Sequence, residues 1–257
     1  MKKDFLTRRQ LLTSGAIALG GIALSGCDPL SRSPEFRTLL RNSGQGLTMG
    51  FQRSLMIGQP LAREFSERDI SPVFKANGTK DPNTLAYKAL VDGNFTNWSL
   101  RIDGLVERPQ TLSLADLRAL PARTQITRHD CVEGWSAIGK WKGTQLGPLL
   151  QTVGLKPNAR FAVMHCADNY GGGADMYYES IDLVDGFHPQ TILAYELNGK
   201  PLEVSHGAPL RLRVERQLGY KQAKYLMRIE IVESLAGFGH GKGGFWEDRG
   251  YEWYAGI

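Results

Sequence analysis

From Trp98 the chain alternates apolar Trp98, Leu100 and Ile102 with polar Ser99, Arg101 and Asp103, the period-two pattern of a half-buried strand. Pro109 ends it. Ser113 followed by Asp116, Leu117 and Leu120 reads as a short helix with Ser113 as N-cap and Asp116 near the positive helix end, and Pro121 closes it. Residues 123–128 predict a second strand. Apolar Leu146, Leu149, Leu150 and Val153 predict a helix over 146–153, and 160–166 reads as a buried strand. Strands follow over 191–197, 209–214 and 225–232, with an Asn198-Gly199 turn after the first. Residues 71–83 hold Pro72, Asn77, Gly78 and Pro82, the breakers of a loop. Helices and strands are mixed without a βαβαβ alternation or an internal repeat. The pattern therefore predicts a mixed, β-rich α+β domain rather than a dinucleotide fold. Gly171-Gly172-Gly173 lacks the strand before and helix after that a phosphate loop needs.

Composition narrows the function classes. Of 257 residues, 42% are hydrophobic and 22% charged, which excludes a disordered chain and a polytopic membrane protein. Glycine occupies 30 positions, well above the average of about 7%, so the backbone bends sharply or approaches something closely at many points. The net charge is +5, but Lys2, Lys3, Arg8 and Arg9 against Asp4 place most of it at the N-terminus. The body mixes acids and bases, so nucleic acid is excluded as a partner.

Residues 1–26 read as an export signal: a basic start, then an apolar run too short and too glycine-interrupted to span a membrane. Thr7-Arg8-Arg9-Gln10-Leu11-Leu12 resembles a twin-arginine motif, a route that carries folded proteins. Leu24-Ser25-Gly26-Cys27 resembles a lipobox, with Asp28 resembling an inner-membrane retention signal. The expected organisation is signal 1–26, tether 27–67 and a catalytic body 68–257, periplasmic and held to the inner membrane by lipid.

With Cys27 lipidated, Cys131 and Cys166 can either form one disulfide or do chemistry. Cys131 lies in Arg128-His129-Asp130-Cys131-Val132-Glu133-Gly134-Trp135-Ser136, at a strand end among cationic and hydrogen-bonding groups expected to favour thiolate. Such a thiol suits a soft metal. Packing is the competing reading. Arg211 reads equally as the exposed face of an edge strand, Lys224 as solvated, His206 as a turn residue and Tyr177 as a core aromatic.

The segment from Arg128 through Trp141-Lys142-Gly143 and Leu149-Leu150 resembles the region around the single cysteine of the sulfite oxidase superfamily of molybdopterin-dependent oxidoreductases. Within it, the segment most resembles the bacterial branch that includes the periplasmic methionine sulfoxide reductase catalytic subunit. Asn77, Cys166-Ala167-Asp168, Tyr177-Tyr178-Glu179-Ser180-Ile181-Asp182, His206-Gly207-Ala208-Pro209-Leu210-Arg211 and Tyr220-Lys221-Gln222-Ala223-Lys224-Tyr225 follow in the family's order. The resemblance covers about residues 70–235. It implies a molybdenum–molybdopterin cofactor with Cys131 as metal ligand and Tyr177 as active-site tyrosine. It implies that Asn77, Cys166, Asp168, His206, Arg211, Gln222, Ala223 and Lys224 hold the pterin and its phosphate.

Two departures bear on substrate. Where sulfite oxidases have an arginine before the loop asparagine, this chain has Ala76, with Lys75 one step earlier. The family's sulfite oxidases also carry a C-terminal immunoglobulin-like dimerisation domain, whereas here barely twenty residues follow the last predicted strand, so a single domain without that dimer interface is expected, with the aromatic stretch 243–254 packing over the body. No Cys-x-x-Cys-His haem motif occurs, so electrons are expected to pass to or from a separate haem or cytochrome partner in the membrane. The expected reaction is two-electron oxo-transfer on a small substrate such as a sulfoxide or N-oxide. The alternatives are sulfite dehydrogenation, or a non-catalytic lipoprotein binding module with a Cys131–Cys166 disulfide.

Overall fold

The computed structural model describes residues 49–50, 53–54, 60–170 and 175–257. The twin-arginine and lipobox motifs, Cys27 and Gly171-Gly172-Gly173 lie outside them. Residues 56–257 form one compact unit.

Among its described residues are ten strands and four α-helices. They are β1 (Ser99–Gly104), β2 (Gln110–Ser113), β3 (Ala122–Cys131), β4 (Trp135–Gln145), β5 (Phe161–Cys166), β6 (Tyr178–Asp182), β7 (Ile192–Leu197), β8 (Lys200–Pro201), β9 (Arg211–Arg213) and β10 (Leu226–Val232), with α1 (Leu85–Asp92), α2 (Leu114–Ala119), α3 (Leu146–Val153) and α4 (Leu183–Gly186). One sheet runs β2-β1-β10-β5-β6 and the other β3-β4-β7-β8, with β9 paired to β7. The fold is the mixed, β-rich α+β domain that the pattern predicts. Leu100 and Ile102 of β1, Leu149 and Leu150 of α3, Met164 of β5, Leu212 of β9 and Ile229 and Ile231 of β10 share one apolar core. α2 carries the expected capping box, with Ser113 Oγ accepting from Asp116 N at 3.2 Å and Asp116 accepting from Ser113 N at 2.9 Å.

β2, β8 and α4 are too short to show a period, and three longer elements also escape the pattern. β4 was not anticipated because its inward positions are Ala137, Gly139, Trp141 and Gly143, and glycine contributes no hydrophobic signal. The glycines are required: a Cβ at Gly143 would collide with Leu193 O of β7, and one at Gly139 would come 2.9 Å from the Phe74 and Leu197 side chains. α1 buries only Tyr87, so it has little apolar face to read. β6 alternates poorly because Glu179, Ser180 and Ile181 are all buried. β3 also runs three residues past the predicted end, carrying the strand to Cys131.

Part of the expected tether is packed onto the body. Phe65 N donates to Ile126 O of β3 at 2.8 Å, and Ala62 N to Gln190 Oε1 at 2.7 Å.

Candidate active site

β3 delivers the thiol. Gln125, Thr127, His129 and Cys131 are buried on its inner face, so two-residue alternation brings Cys131 inward at the last residue of the strand. The chain then turns at Gly134, whose φ of +83° suits glycine, and Gly134 N donates to Cys131 O at 3.0 Å. This hairpin tip forms one wall of a cleft with about 680 Å³ of empty space, partly open to solvent. The 77–79 loop, Asp168 and Tyr170 after β5, Tyr177, and Gly219, Tyr220, Gln222 and Lys224 ahead of β10 form the rest. Trp246 and Tyr251 of the C-terminal segment close the rim.

Of the residues expected to act, Asn77, Cys131, Asp168, Tyr177, Gln222 and Lys224 line this cleft together. His206 and Arg211 sit one layer behind. Arg211 Nη1 donates to His206 O and Nη2 to Gln222 O, both at 3.1 Å, and His206 Nε2 lies 3.0 Å from Phe74 O. Cys166 and Ala223 do not reach the cleft. Cys166 is buried with Sγ 4.0 Å from Met164 O, and Ala223 O accepts from Leu212 N of β9 at 2.8 Å, which makes both part of the core.

The electrostatics suit an anion. Arg211 is 1% exposed, faces no carboxylate within ion-pair distance among the described residues, and leaves Nε buried without a partner; burial and neighbouring Arg213 bring it down to about 9. Lys224 Nζ donates to Asn77 O at 2.7 Å, Ser205 O at 3.0 Å and Thr79 O. Burial and Arg211 bring its ammonium down to about 7. Neither is the solvated side chain that the local pattern allowed. Burial lifts the Asp168 carboxyl to about 6, and its Oδ1 is unpartnered. Arg211 thus keeps an unpartnered buried donor beside the buried ammonium of Lys224, a pair of cations suited to an anion.

At Cys131 the expectation of a thiolate-favouring setting is corrected. Burial raises the thiol and outweighs the hydrogen bond from the Glu133 backbone and the Lys75 charge, which both lower it, while the Glu133 carboxylate adds to the rise. Arg128 pairs with Asp130 at 2.9 Å and stays exposed, while Lys75 lies over the Trp135 ring at 5.5 Å. Ionisation therefore needs a metal rather than neighbouring cations. Cys131 and Cys166 are both free thiols, which removes the disulfide of the binding-module alternative.

Sequence reasoning missed several cleft residues. Tyr170 packs 5.3 Å from Phe245 and 5.1 Å from Trp246, and its hydroxyl has no hydrogen-bond partner among the described residues. Burial and the nearby Glu133 and Asp168 charges keep that phenol protonated. Tyr220 and Tyr251 meet edge to face at 5.1 Å. Only the aromatic density of the tail hinted at such a wall, because the chain turns that assemble it are not local.

The chain matches the oxidoreductase molybdopterin binding domain family over residues 87–236. It belongs to that family. It is 40% identical over 253 residues, covering 98% of this chain and 88% of the relative, to an Azospira oryzae protein named "Putative protein-methionine-sulfoxide reductase subunit YedZ1". It is 36% identical over 237 residues, 89% of this chain and 70% of the relative, to the protein-methionine-sulfoxide reductase catalytic subunit MsrP of Xanthomonas campestris. The uncharacterized oxidoreductase YuiH of Bacillus subtilis is 30% identical over 159 residues, 62% of this chain and 74% of the relative. This molybdopterin-dependent oxidoreductase thus has a site that fits its family's cofactor. Cys131 offers the soft ligand for molybdenum, and Arg211, Lys224, His206 and the 77–79 loop offer the cradle for the anionic end of the pterin.

Proposed function

We propose that this enzyme is an exported catalytic subunit that reduces methionine sulfoxide, taking electrons from a membrane-bound haem partner. One observation carries the reading. Among the described residues lining the cleft Lys224 is the sole cation, and it is tied to three backbone carbonyls. A sulfite dianion entering past Glu133 and Asp168 would meet acids and aromatic rings rather than a free guanidinium. A neutral sulfoxide suits that surface.

When bound, the cofactor supplies two-electron oxo-transfer chemistry. The chain supplies the rest. Cys131 gives up its proton to serve as fixed metal ligand. The Tyr170 phenol donates a hydrogen bond to the sulfoxide oxygen, whose removal consumes two electrons and two protons and releases thioether and water. Trp246 and Tyr251 pack against the apolar groups on sulfur and exclude water. Tyr177 supports this wall: its ring stacks on Phe245 at 5.3 Å and its hydroxyl donates to Tyr220 O at 2.7 Å.

The relatives' names support methionine sulfoxide as substrate, and the motifs at Arg8-Arg9 and Cys27 support export by the twin-arginine route and a lipid anchor facing the periplasm. No helix among the described residues is long and apolar enough to cross a membrane. The deciding experiment assays one preparation, purified from a molybdate-supplied host, against methionine sulfoxide and sulfite. Near-equimolar molybdenum with sulfoxide turnover and poor sulfite turnover is expected. Efficient sulfite oxidation without sulfoxide reduction overturns the substrate. For export, Arg8 and Arg9 to Lys should strand the protein in the cytoplasm and Cys27→Ala should release it from the membrane.

A further inference from the structure

The Tyr170 hydroxyl has no hydrogen-bond partner among the described residues, so the phenol is aimed only by what packs against its ring. Its φ of +36° is left-handed backbone, which a tyrosine keeps only where its surroundings hold it. On one side lies Gly78 of the 77–79 loop, where an added Cβ would come 3.3 Å from Tyr170 Cε2 and 3.6 Å from its hydroxyl oxygen. Phe245 and Trp246 supply the other contacts, at 5.3 and 5.1 Å between ring centres.

Phe245 is 5% exposed, and one side chain outside the cleft holds it. Asp248 N donates to Gly244 O at 2.9 Å and Arg249 N to Trp246 O at 3.0 Å, so residues 244–249 make one helical turn, in which side chains four apart share a face. Arg249 therefore folds back over Phe245, with Cζ 3.6 Å from the ring centre and Nη1 donating to Phe245 O at 2.9 Å. Nη2 donates to Asp175 Oδ2 at 3.1 Å. An ion pair between side chains 39% and 70% exposed adds little stability, but it aims the guanidinium: the planar fork is held along its edge while its face covers the ring. A lysine could not do both. The turn itself is anchored from its buried side, where Glu247 meets Lys221 at 2.5 Å.

We propose that Arg249 is a positioning residue: stacked on Phe245, it fixes the ring that holds the Tyr170 phenol at the cleft, where that phenol meets the sulfoxide oxygen. The inference rests on the sulfoxide reading. Phe245 also stacks on Tyr177, but the Tyr177 hydroxyl is separately tied to Tyr220 O, so a loosened Phe245 is felt at Tyr170. The effect belongs to the rate rather than to binding, because a hydrogen bond to the sulfoxide oxygen strengthens as the S–O bond breaks. Trp246 and Tyr251 hold the apolar groups on sulfur in either case.

Two readouts on the full-length holoenzyme test it. In Arg249→Gln, kcat for methionine sulfoxide should fall roughly three- to tenfold, the effect of one weakened hydrogen bond, with KM changed by less than about twofold and molybdenum content at the wild-type level. In the Tyr170→Phe background the same substitution should change kcat by less than about twofold, because the group it positions is gone. With a ring-fluorinated tyrosine placed at position 170, the fluorine NMR signal should shift or broaden in Arg249→Gln. An equal loss of kcat in the Tyr170→Phe background, or an unmoved fluorine signal, overturns the inference. Should Arg249→Gln fold poorly, Arg249→Lys, which keeps the charge without the flat stack, decides by the same readouts. Tyr170→Phe enzyme with wild-type sulfoxide turnover would refute the catalytic role of Tyr170 instead, and the fluorine signal would still decide whether Arg249 sets the ring.

Discussion

The Tyr177 hydroxyl donates to the Tyr220 carbonyl oxygen at 2.7 Å, while Tyr170, whose ring stacks 6.1 Å away, has no such acceptor among the described residues. Two phenols in one cleft are thereby given different tasks. Tyr170→Phe should lower sulfoxide turnover at least tenfold with molybdenum content unchanged. Tyr177→Phe should cost about 1 kcal/mol of stability with a smaller effect on turnover. Steady-state rates paired with thermal melts separate the two, and a reversed ranking returns the catalytic role to Tyr177.

The cradle at Arg211 and Lys224 should bind inorganic phosphate in cofactor-free protein. Burial holds the Lys224 ammonium at about 7, so the site carries more positive charge below that pH and less above it. Phosphate should raise the apoprotein melting temperature more at pH 6 than at pH 8. For the free protein the sign is opposite: a lysine whose folded pKa lies below its unfolded value makes stability rise with pH from about 7 toward 10.5. Lys224→Met should remove both trends in differential scanning fluorimetry.

Lys221 is fully buried between Glu179 and Glu247, 2.5 Å from each, and so ties the C-terminal segment to β6. Burial disfavours the ammonium, but the two carboxylates outweigh it and raise Lys221, while burial and Glu247 raise Glu179. Lys221→Met would strand two buried acids and should destabilise the fold by about 3–5 kcal/mol. Glu247→Gln should be milder and act on the cleft wall that carries Trp246, raising KM more than it lowers kcat. Denaturant titration and kinetics on the two variants test this, and equal KM in Glu247→Gln would show that the wall is held by other contacts.

Gly143→Ala should break the pairing of β4 with β7, because the added methyl has only the Leu193 carbonyl to occupy. A loss of about 1–3 kcal/mol is expected from such overpacking, read as a lower melting temperature. Gly134→Ala meets no neighbour within 4 Å and should cost only the strain of a positive φ.

The sequence by itself determined the elements with a clear period, β1, α2 with its capping box, and α3 at its observed bounds Leu146–Val153, because local spacing and capping chemistry decide these. It also determined the family, since motifs in a set order survive where single residues are ambiguous. What only the tertiary structure decided is which of those motif residues meet. Arg211 reads locally as an outward position of an edge strand, yet it is buried against Trp141, because β9 is covered by neighbours far away in sequence. β4 was illegible because three of its four inward positions, Ala137, Gly139 and Gly143, are small residues suited to close approach, leaving Trp141 as a single apolar signal. Tyr170, Trp246 and Tyr251 reach the cleft through chain turns that no local pattern encodes. The thiol's acidity likewise depends on burial and on the Glu133 charge, and burial is a property of the folded chain alone.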